Sequence, residues 1–316
     1  MSLNLKALPN EEHPNYSVPR DGNGRPLVVP PQGGKPISLT RTTTFIDCIE
    51  DKSNLATWKQ RMTLIGAAEQ PSLLDAVRGL DPKDGADKRK LNALAERAAD
   101  TAGASTASAQ GTRLHTLSEF ADRGEPLPAG VTEEELADMA AYMMETSVLR
   151  MKSVEQFVVV PELAVGGTFD RTAELEVPCR SGASCPGRHI VDLKTGGMDY
   201  GQIKMPAQLA IYSRGQRYDH TVCPAPDRSA EGGEKEWTKW KKTEFTMEQA
   251  ERAYEPLESM CQDWGIVIHL PQGQAQCTLY WADLRVGWEL AMFAKEVRAR
   301  RSTKGTLIPF GVDAAA

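Results

Sequence analysis

The spacing of hydrophobic positions changes near residue 150. In "SNLATWKQRMTLIGAAEQ", Leu55, Trp58, Met62 and Ile65 recur at helical spacing behind Ser53, a candidate N-cap. Pro71 ends that helix. Residues 72–79 predict a second, short helix. The alanine-rich stretch "ADKRKLNALAERAADTAGASTASAQ" predicts a third, weakened by Gly103, and "GTRLHTLSEFADRG" one that ends near Gly124. Thr132 and Glu135 form a capping box for a helix to about Arg150. Ahead of all these, "TTTFIDCIE" reads as a short strand or extended lead-in.

Beyond residue 150 the period shortens to two. "SVEQFVVVPELAVGGTFDRTAELEV" is β-branched and alternating, which predicts two strands joined by a turn near Ala164–Gly167. "PCRSGASCPG" is a loop and "RHIVDLKTG" the next strand. "GQIKMPAQLAIYSRGQRY" predicts a helix that is firmer after Pro206. "HTVCPAP" is a candidate strand, and "EKEWTKWKKTEF" a ribbon or loop. A second capping box, Thr246 and Gln249, starts a helix through about Trp264. "GIVIHLP" and "QCTLYWAD" are further strands, and a last helix covers 285–303.

Residues 1–40 hold seven prolines and no apolar period, so they read as an extended or disordered arm. The expected organisation is therefore an arm (1–40), a helical part (41–150), a strand-rich core (151–305) and a tail (306–316). The fold class is α/β, a central mixed sheet flanked by helices.

Composition narrows the class. The 316 residues are 41% hydrophobic and 25% charged, enough to bury a sizeable core. No apolar run reaches the length of a membrane span, and the N-terminus lacks the layout of a signal peptide. A cytoplasmic protein is expected. The net charge of −6 argues against a protein that coats DNA, but not against an enzyme with one local basic groove.

Four local patterns carry candidate chemistry. In "GTRLHTLSE", His115 and Glu119 share a helix face. In "GGTFDR", two glycines let the chain turn tightly ahead of Asp170. In "HIVDLKTG", Asp192 and Lys194 point the same way on a strand. In "QLAIY", Gln208 and Tyr212 are one helical turn apart. Asp170 and Asp192 lie on consecutive strands and can be neighbours across the ladder. Two carboxylates so placed repel, and a divalent cation resolves the repulsion. Oxygen donors suit Mg²⁺ or Mn²⁺, and an imidazole tilts the preference toward Mn²⁺. Glu119 and Glu155 stay outside this set, as a helix-face acid and a solvated one.

The series "GTRLH", "GGTFDR", "IVDLKTG" and "QLAIY" resembles the PD-(D/E)XK nuclease superfamily. It is most similar to the RecB-like branch, which includes CRISPR-associated RecB-like exonucleases and their phage relatives. The resemblance covers residues 111–212, about a third of the chain. It implies a restriction-endonuclease-like core and a metal-dependent DNA nuclease, an exonuclease working in recombination, repair or phage DNA metabolism. His115, Asp170 and Asp192 would ligate the metal with the Leu193 carbonyl, and Lys194 would position the attacking water. Gln208 and Tyr212 would brace the site or touch the DNA backbone. Asp192 stands where glutamate is commoner in the family; either acid reaches a metal. Two other readings stay open: a catalytically inactive nuclease-like module for DNA binding or assembly, and a restriction-type endonuclease. DNA is the expected partner, with a recombination protein or further copies of the chain as others.

The remaining motifs are weighed against ordinary uses. "KEWTKWKK" interleaves Trp237 and Trp240 with Lys235, Lys239, Lys241 and Lys242, a pattern suited to stacking bases and tracking phosphates. A solvated ribbon with half-buried tryptophans explains it equally well. Many CRISPR-associated relatives carry an iron–sulfur cluster on one upstream and three downstream cysteines. Here Cys48 is upstream, but Cys223, Cys261 and Cys277 are widely spaced, which argues against a cluster. Cys179, Cys185 and His189 could make a zinc knuckle with Cys223 or His220 as fourth ligand. The spacing is loose, and a hairpin loop with free thiols is the favoured reading.

Overall fold

A computed structural model of the chain describes residues 18–198 and 201–307. Short strands β1 (Leu27–Val28), β2 (Ile37–Ser38) and β3 (Thr40–Arg41) lead into helix α1 (Thr42–Ile46). Helices α2 (Ser53–Glu69), α3 (Ser72–Val77), α4 (Gly85–Thr101), α5 (Thr106–Asp122) and α6 (Glu133–Glu145) follow. Next come β4 (Leu149–Val160), β5 (Val165–Leu175), β6 (Arg188–Lys194), α7 (Lys204–Ser213) and β7 (Gln216–Tyr218). The chain continues through α8 (Gly233–Trp240), α9 (Met247–Glu251), β8 (Tyr254–Pro256), β9 (Trp264–His269), β10 (Thr278–Asp283) and α10 (Leu284–Arg301).

The main sheet runs β10-β9-β6-β5-β4-β7-β8, with β3 added beside β5. The β6–β9 and β3–β5 pairs are parallel and the others antiparallel, so the sheet is mixed and the α/β expectation holds. Helices cover both faces. Leu114, Leu117, Met139 and Tyr142 of α5 and α6 pack on Val191, Leu193, Ile266 and Ile268. On the other face, Leu209, Ala210 and Tyr212 of α7 pack on Ile190 and Val267, and Ala207 and Ile211 on Ala291 and Ala294 of α10.

Local signals place most boundaries. Both capping boxes form, Thr132 with Glu135 and Thr246 with Gln249. Asp84 and Asp283 cap α4 and α10 by accepting backbone N–H bonds. The β4–β5 connection turns through Ala164 in the left-handed region (φ 52°).

Several expectations change. Residues 18–40 are not a disordered arm: Val18, Leu27, Val28, Val29 and Leu39 are buried. Residues 1–17 of that arm lie outside the described residues, as do 308–316 of the tail. "TTTFIDCIE" is helical rather than extended, because α1 docks Phe45 and Ile46 against Val165 and Ile211. The alanine-rich helix breaks at Gly103 (φ 83°) and restarts as α5. The Thr132 helix stops at Glu145, and the first long strand starts at Leu149. "HTVCPAP" contains no strand, and the Thr246 helix lasts five residues before β8 forms.

The α2 helix forms where its period predicts, but Leu55 and Ile65 on its stripe stay about half exposed. It docks instead on α4 through Gly66, where a Cβ would sit 1.7 Å from the Ala98 carbonyl oxygen. No helix among the described residues is long and apolar enough to cross a membrane.

Candidate functional site

One edge of β5 is shared by two strands. β3 pairs with it at Val165 and Gly166, and β6 pairs with it from Arg171 to Glu174. Among the described residues, no strand pairs the edge in between, over 167–170. Residues from all four sequence patterns meet at this gap.

The two glycines of "GGTFDR" lie within β5, so the tight turn expected of them sits earlier, at Ala164. Gly167 is small for another reason. A Cβ there would lie 2.9 Å from the Tyr212 hydroxyl and 3.0 Å from Thr42 Oγ1, so the bare backbone lets α7 approach the sheet. Gly111 does the same for α5, where a Cβ would meet Thr195 Oγ1 at 2.8 Å. The "GTRLH" helix therefore leans on the end of "IVDLKTG".

Asp170 sits one position beyond the last β5–β6 pair, Arg171 with Val191. Its Oδ2 accepts the Leu193 backbone N–H at 2.8 Å, so a side chain takes over where the ladder opens. Across β5, β4 keeps its register here, Val154 opposite Arg171 and Gln156 opposite Phe169, and Glu155 between them has φ 50°. The Nδ1 of His115 stands 3.5 Å from Asp170 Oδ2. Burial lowers the His115 imidazole below its ordinary pKa, with Arg171 and Lys194 adding to the effect and Asp170 opposing it. The ring is accordingly neutral at physiological pH, with a lone pair to offer.

Asp192 is buried in the end of β6. Lys194 Nζ stands 2.5 Å from its Oδ2, so the two do share one face. The contact is electrostatic: that oxygen accepts no aligned hydrogen bond among the described residues. Gln208 Nε2 donates to Oδ1 at 3.4 Å. Burial raises the Asp192 carboxyl to about 6, with Asp170 adding to the rise and Lys194 opposing it. Burial also pushes the Lys194 ammonium down, but Asp192 and Asp170 outweigh it and hold the amine charged. Burial and the same two acids keep the Tyr212 phenol neutral. Lys194 is thus built as a cation, and Tyr212 as a brace whose ring meets Phe169 edge-on at 6.4 Å.

Several residues matter more than their sequence context suggested. Arg171 is fully buried, and its guanidinium pairs with Asp122, binds Ser118 Oγ at 2.5 Å and lies 3.8 Å from Asp170 Oδ2. The Tyr142 hydroxyl donates to the other oxygen of Asp122 at 2.7 Å. This network ties α5 and α6 to β5 directly beside Asp170. The available signal was an arginine within a β-branched strand and Ser118–Asp122 at i, i+4 on the His115 helix. Glu119, first read as a helix-face acid, is also buried. Burial raises its carboxyl despite Arg171 and Arg123, and the Asp170 charge adds to the rise.

Two clefts adjoin the site. One of about 460 Å³ is lined by Arg20, Arg41, Thr42, Gly167 and Tyr212. Another of about 660 Å³ lies between Lys52, Trp58 and Arg61 on the α2 side and Gly197, three residues past Lys194.

The tryptophans proposed to stack bases are not available. "KEWTKWKK" folds as α8, and Trp237 and Trp240 pack on each other at 5.3 Å and against Leu27. Helical spacing turns both inward, while Lys239 and Lys241 remain exposed. The cysteines also depart from expectation. Cys179, Cys185 and His189 are joined by Cys261, not Cys223 or His220, with ligand atoms all within 4.8 Å of one another. Spacing in sequence favours free thiols over zinc, but the sheet brings Cys261 in as a fourth candidate ligand, so the structure does not support zinc being absent. Cys48 lies elsewhere, its Sγ near the Ala294 carbonyl. Cys223 packs with Val29, and Cys277 against the α5–α6 core. No protein-family model matches the chain, and no curated protein matches it.

Proposed function

We propose that the chain is a divalent-metal-dependent DNA nuclease, with His115, Asp170 and Asp192 as metal ligands beside Lys194. One observation carries the reading: four separated segments place an imidazole, two carboxylates, an ammonium and a bracing Gln–Tyr pair at one gap in the sheet. The donor set fits a hard cation with mixed oxygen and nitrogen ligands, Mg²⁺ or Mn²⁺. Asp192 Oδ2, buried and without an aligned donor, is a natural ligand atom. Such an ion supplies Lewis acidity toward a phosphodiester and lowers the pKa of water.

The protein's own groups do the rest. Lys194, held cationic, orients the attacking water and offsets charge that builds on the phosphate oxygens. Gln208 fixes the Asp192 carboxylate, and Tyr212 locks α7 against Gly167. In the larger cleft Lys52 is paired with Asp47 and the acids Glu50 and Asp51 also line the wall, so Trp58 and Arg61 are the residues there that suit a stacked base and its phosphate. Digestion from DNA ends, rather than internal cutting, follows from the resemblance to RecB-like exonucleases.

A second reading, an inactive nuclease-like module, has one observation in its favour. Among the described residues, the His115, Asp170 and Asp192 ligand atoms are not gathered as closely as the Cys179 cluster, and each acid already has an internal partner. End-labelled linear DNA and closed circular DNA, incubated with Mn²⁺, Mg²⁺ or EDTA, separate the readings. Metal-dependent loss of linear DNA alone is expected. Nicked circles would make the enzyme an endonuclease, and intact DNA with every metal would favour the inactive module.

A pH dependence follows from Asp192. Below about 6 its carboxyl is protonated and neutral, and above it the group is an anion that attracts a cation. Mn²⁺ affinity measured by calorimetry should therefore weaken as pH falls through about 6, with protons released on binding. An affinity that is flat across that range would remove Asp192 from the ligand set.

A further inference from the structure

On the far side of β6 from Asp192 lies a second cluster. The long β5–β6 connection carries Cys179 and Cys185, β6 begins with His189 in its second position, and Cys261 precedes β9. Backbone bonds bring them together: Arg188 N–H donates to the Ser259 carbonyl at 2.9 Å, and Cys261 N–H to the Arg188 carbonyl at 2.7 Å. We propose that Cys179, Cys185, His189 and Cys261 bind one Zn²⁺ ion that clamps the start of β6 to the start of β9.

The geometry suits a single tetrahedral ion. With Zn–S about 2.3 Å and Zn–N about 2.0 Å, a tetrahedron puts sulfur and nitrogen ligands about 3.5 Å apart, and two sulfurs about 3.8 Å. His189 Nε2 lies 3.2 Å from Cys179 Sγ and 3.5 Å from Cys185 Sγ. All the ligand atoms fall within 4.8 Å. A cluster of several irons would spread its ligands around a larger core.

Backbone N–H groups point at the three sulfurs. Ser181 N–H donates to Cys179 Sγ at 3.4 Å. The Gly187 N–H is directed at Cys185, and those of Asp263 and Trp264 at Cys261. Each cysteine thus meets an N–H from two residues onward, which offsets negative charge on sulfur. Gly187 adopts φ 114°, a conformation side-chain-bearing residues rarely take, so the turn that supplies its N–H requires glycine. His189 is buried with its ring edge-on to Trp281 at 5.8 Å, which fixes the direction of Nε2. A thiol-rich set with one imidazole selects zinc over Mg²⁺ or Mn²⁺.

The clamp has a consequence for the other end of the strand. β6 and β9 pair in parallel, Val191 with Ile266 and Asp192 with Val267. His189 and Asp192 are three residues apart, about 10 Å along a strand. Holding both strand entries in register holds Asp192 and Lys194 in place, so the ion has a structural role distinct from any ion at Asp170 and Asp192.

Elemental analysis of the purified wild-type protein, after washing with EDTA, is the test. One zinc per chain is expected. Cys261→Ser and Cys185→Ser should each lose it, and Asp192→Asn should keep it. Because the cysteine variants could misfold, Co²⁺ is also added to reduced, demetallated wild-type protein. The visible and near-ultraviolet bands of a tetrahedral cobalt thiolate are expected. Wild-type protein without zinc and without those bands overturns the proposal. Iron with acid-labile sulfide overturns it too, as does zinc lost from Asp192→Asn but kept by Cys261→Ser.

Discussion

Asp192→Asn should abolish metal-dependent DNA cleavage while leaving the fold in place. The substitution keeps the side chain's shape and its contact with Gln208 Nε2, but removes the charge that Lys194 Nζ meets at 2.5 Å. A neutral amide is a poor ligand for a hard cation. The loss is expected to be at least about a thousand-fold in rate, equivalent to roughly 4 kcal/mol. Lys194→Ala should cost about a hundred-fold or more, because one fixed charge beside the reacting phosphate is lost. Initial rates on end-labelled linear DNA, with melting curves of the same samples, check both. Cleavage at the wild-type rate by a folded Asp192→Asn protein would end the nuclease reading of this gap.

Arg171→Ala should unfold more readily by about 3–5 kcal/mol, the usual cost of removing one partner of a buried ion pair. Its side chain is 1% exposed and that of Asp122 is 3% exposed, so the abandoned carboxylate would be left largely desolvated. Burial disfavours the Arg171 charge, yet Tyr142, Asp122 and Asp170 together hold it well above the ordinary guanidinium range. Replacing both partners, Arg171→Met with Asp122→Leu, should recover much of the loss, because no buried charge then lacks a partner. Urea denaturation of the single and double variants measures this coupling. A single variant within about 0.5 kcal/mol of wild type would show the network to be incidental.

The two predictions concern neighbouring strands, β6 and β5, whose residues have different roles. Asp170 and Asp192 face the gap, whereas Arg171 faces inward and anchors the strand that carries Asp170. Loss of activity in an Arg171 variant would therefore be read through stability first. The zinc clamp proposed at His189 acts at the other end of β6, so both ends of the site-bearing strand have an anchor.

Period and punctuation along the chain were sufficient for much of this protein. The switch from helical to alternating spacing near residue 150 located the sheet, and the Thr132 and Thr246 capping boxes formed as written. These signals are local: a cap or an alternating strand depends on residues a few positions apart. The pairing of Asp192 with Lys194 was legible for the same reason, since i and i+2 on a strand share a face. The grouping of four motifs was also readable, from their order and resemblance.

Tertiary packing decided what depends on distant partners. "EKEWTKW" is helical because Trp237 and Trp240 have Leu27 to pack against, from a segment whose sequence reads as an extended or disordered arm. "TTTFIDCIE" became helical against α7 and α10. The unpaired edge at 167–170 exists because β3 and β6 occupy either end of β5, and β3 comes from that same early segment. Cys261 is 72 residues beyond His189 in number, and only the parallel β6–β9 pairing makes them neighbours. Side-chain periodicity reports which face is buried, but not which remote residue buries it. That choice belongs to the sheet order, and the sheet order set the gap, the Arg171 network and the cysteine cluster.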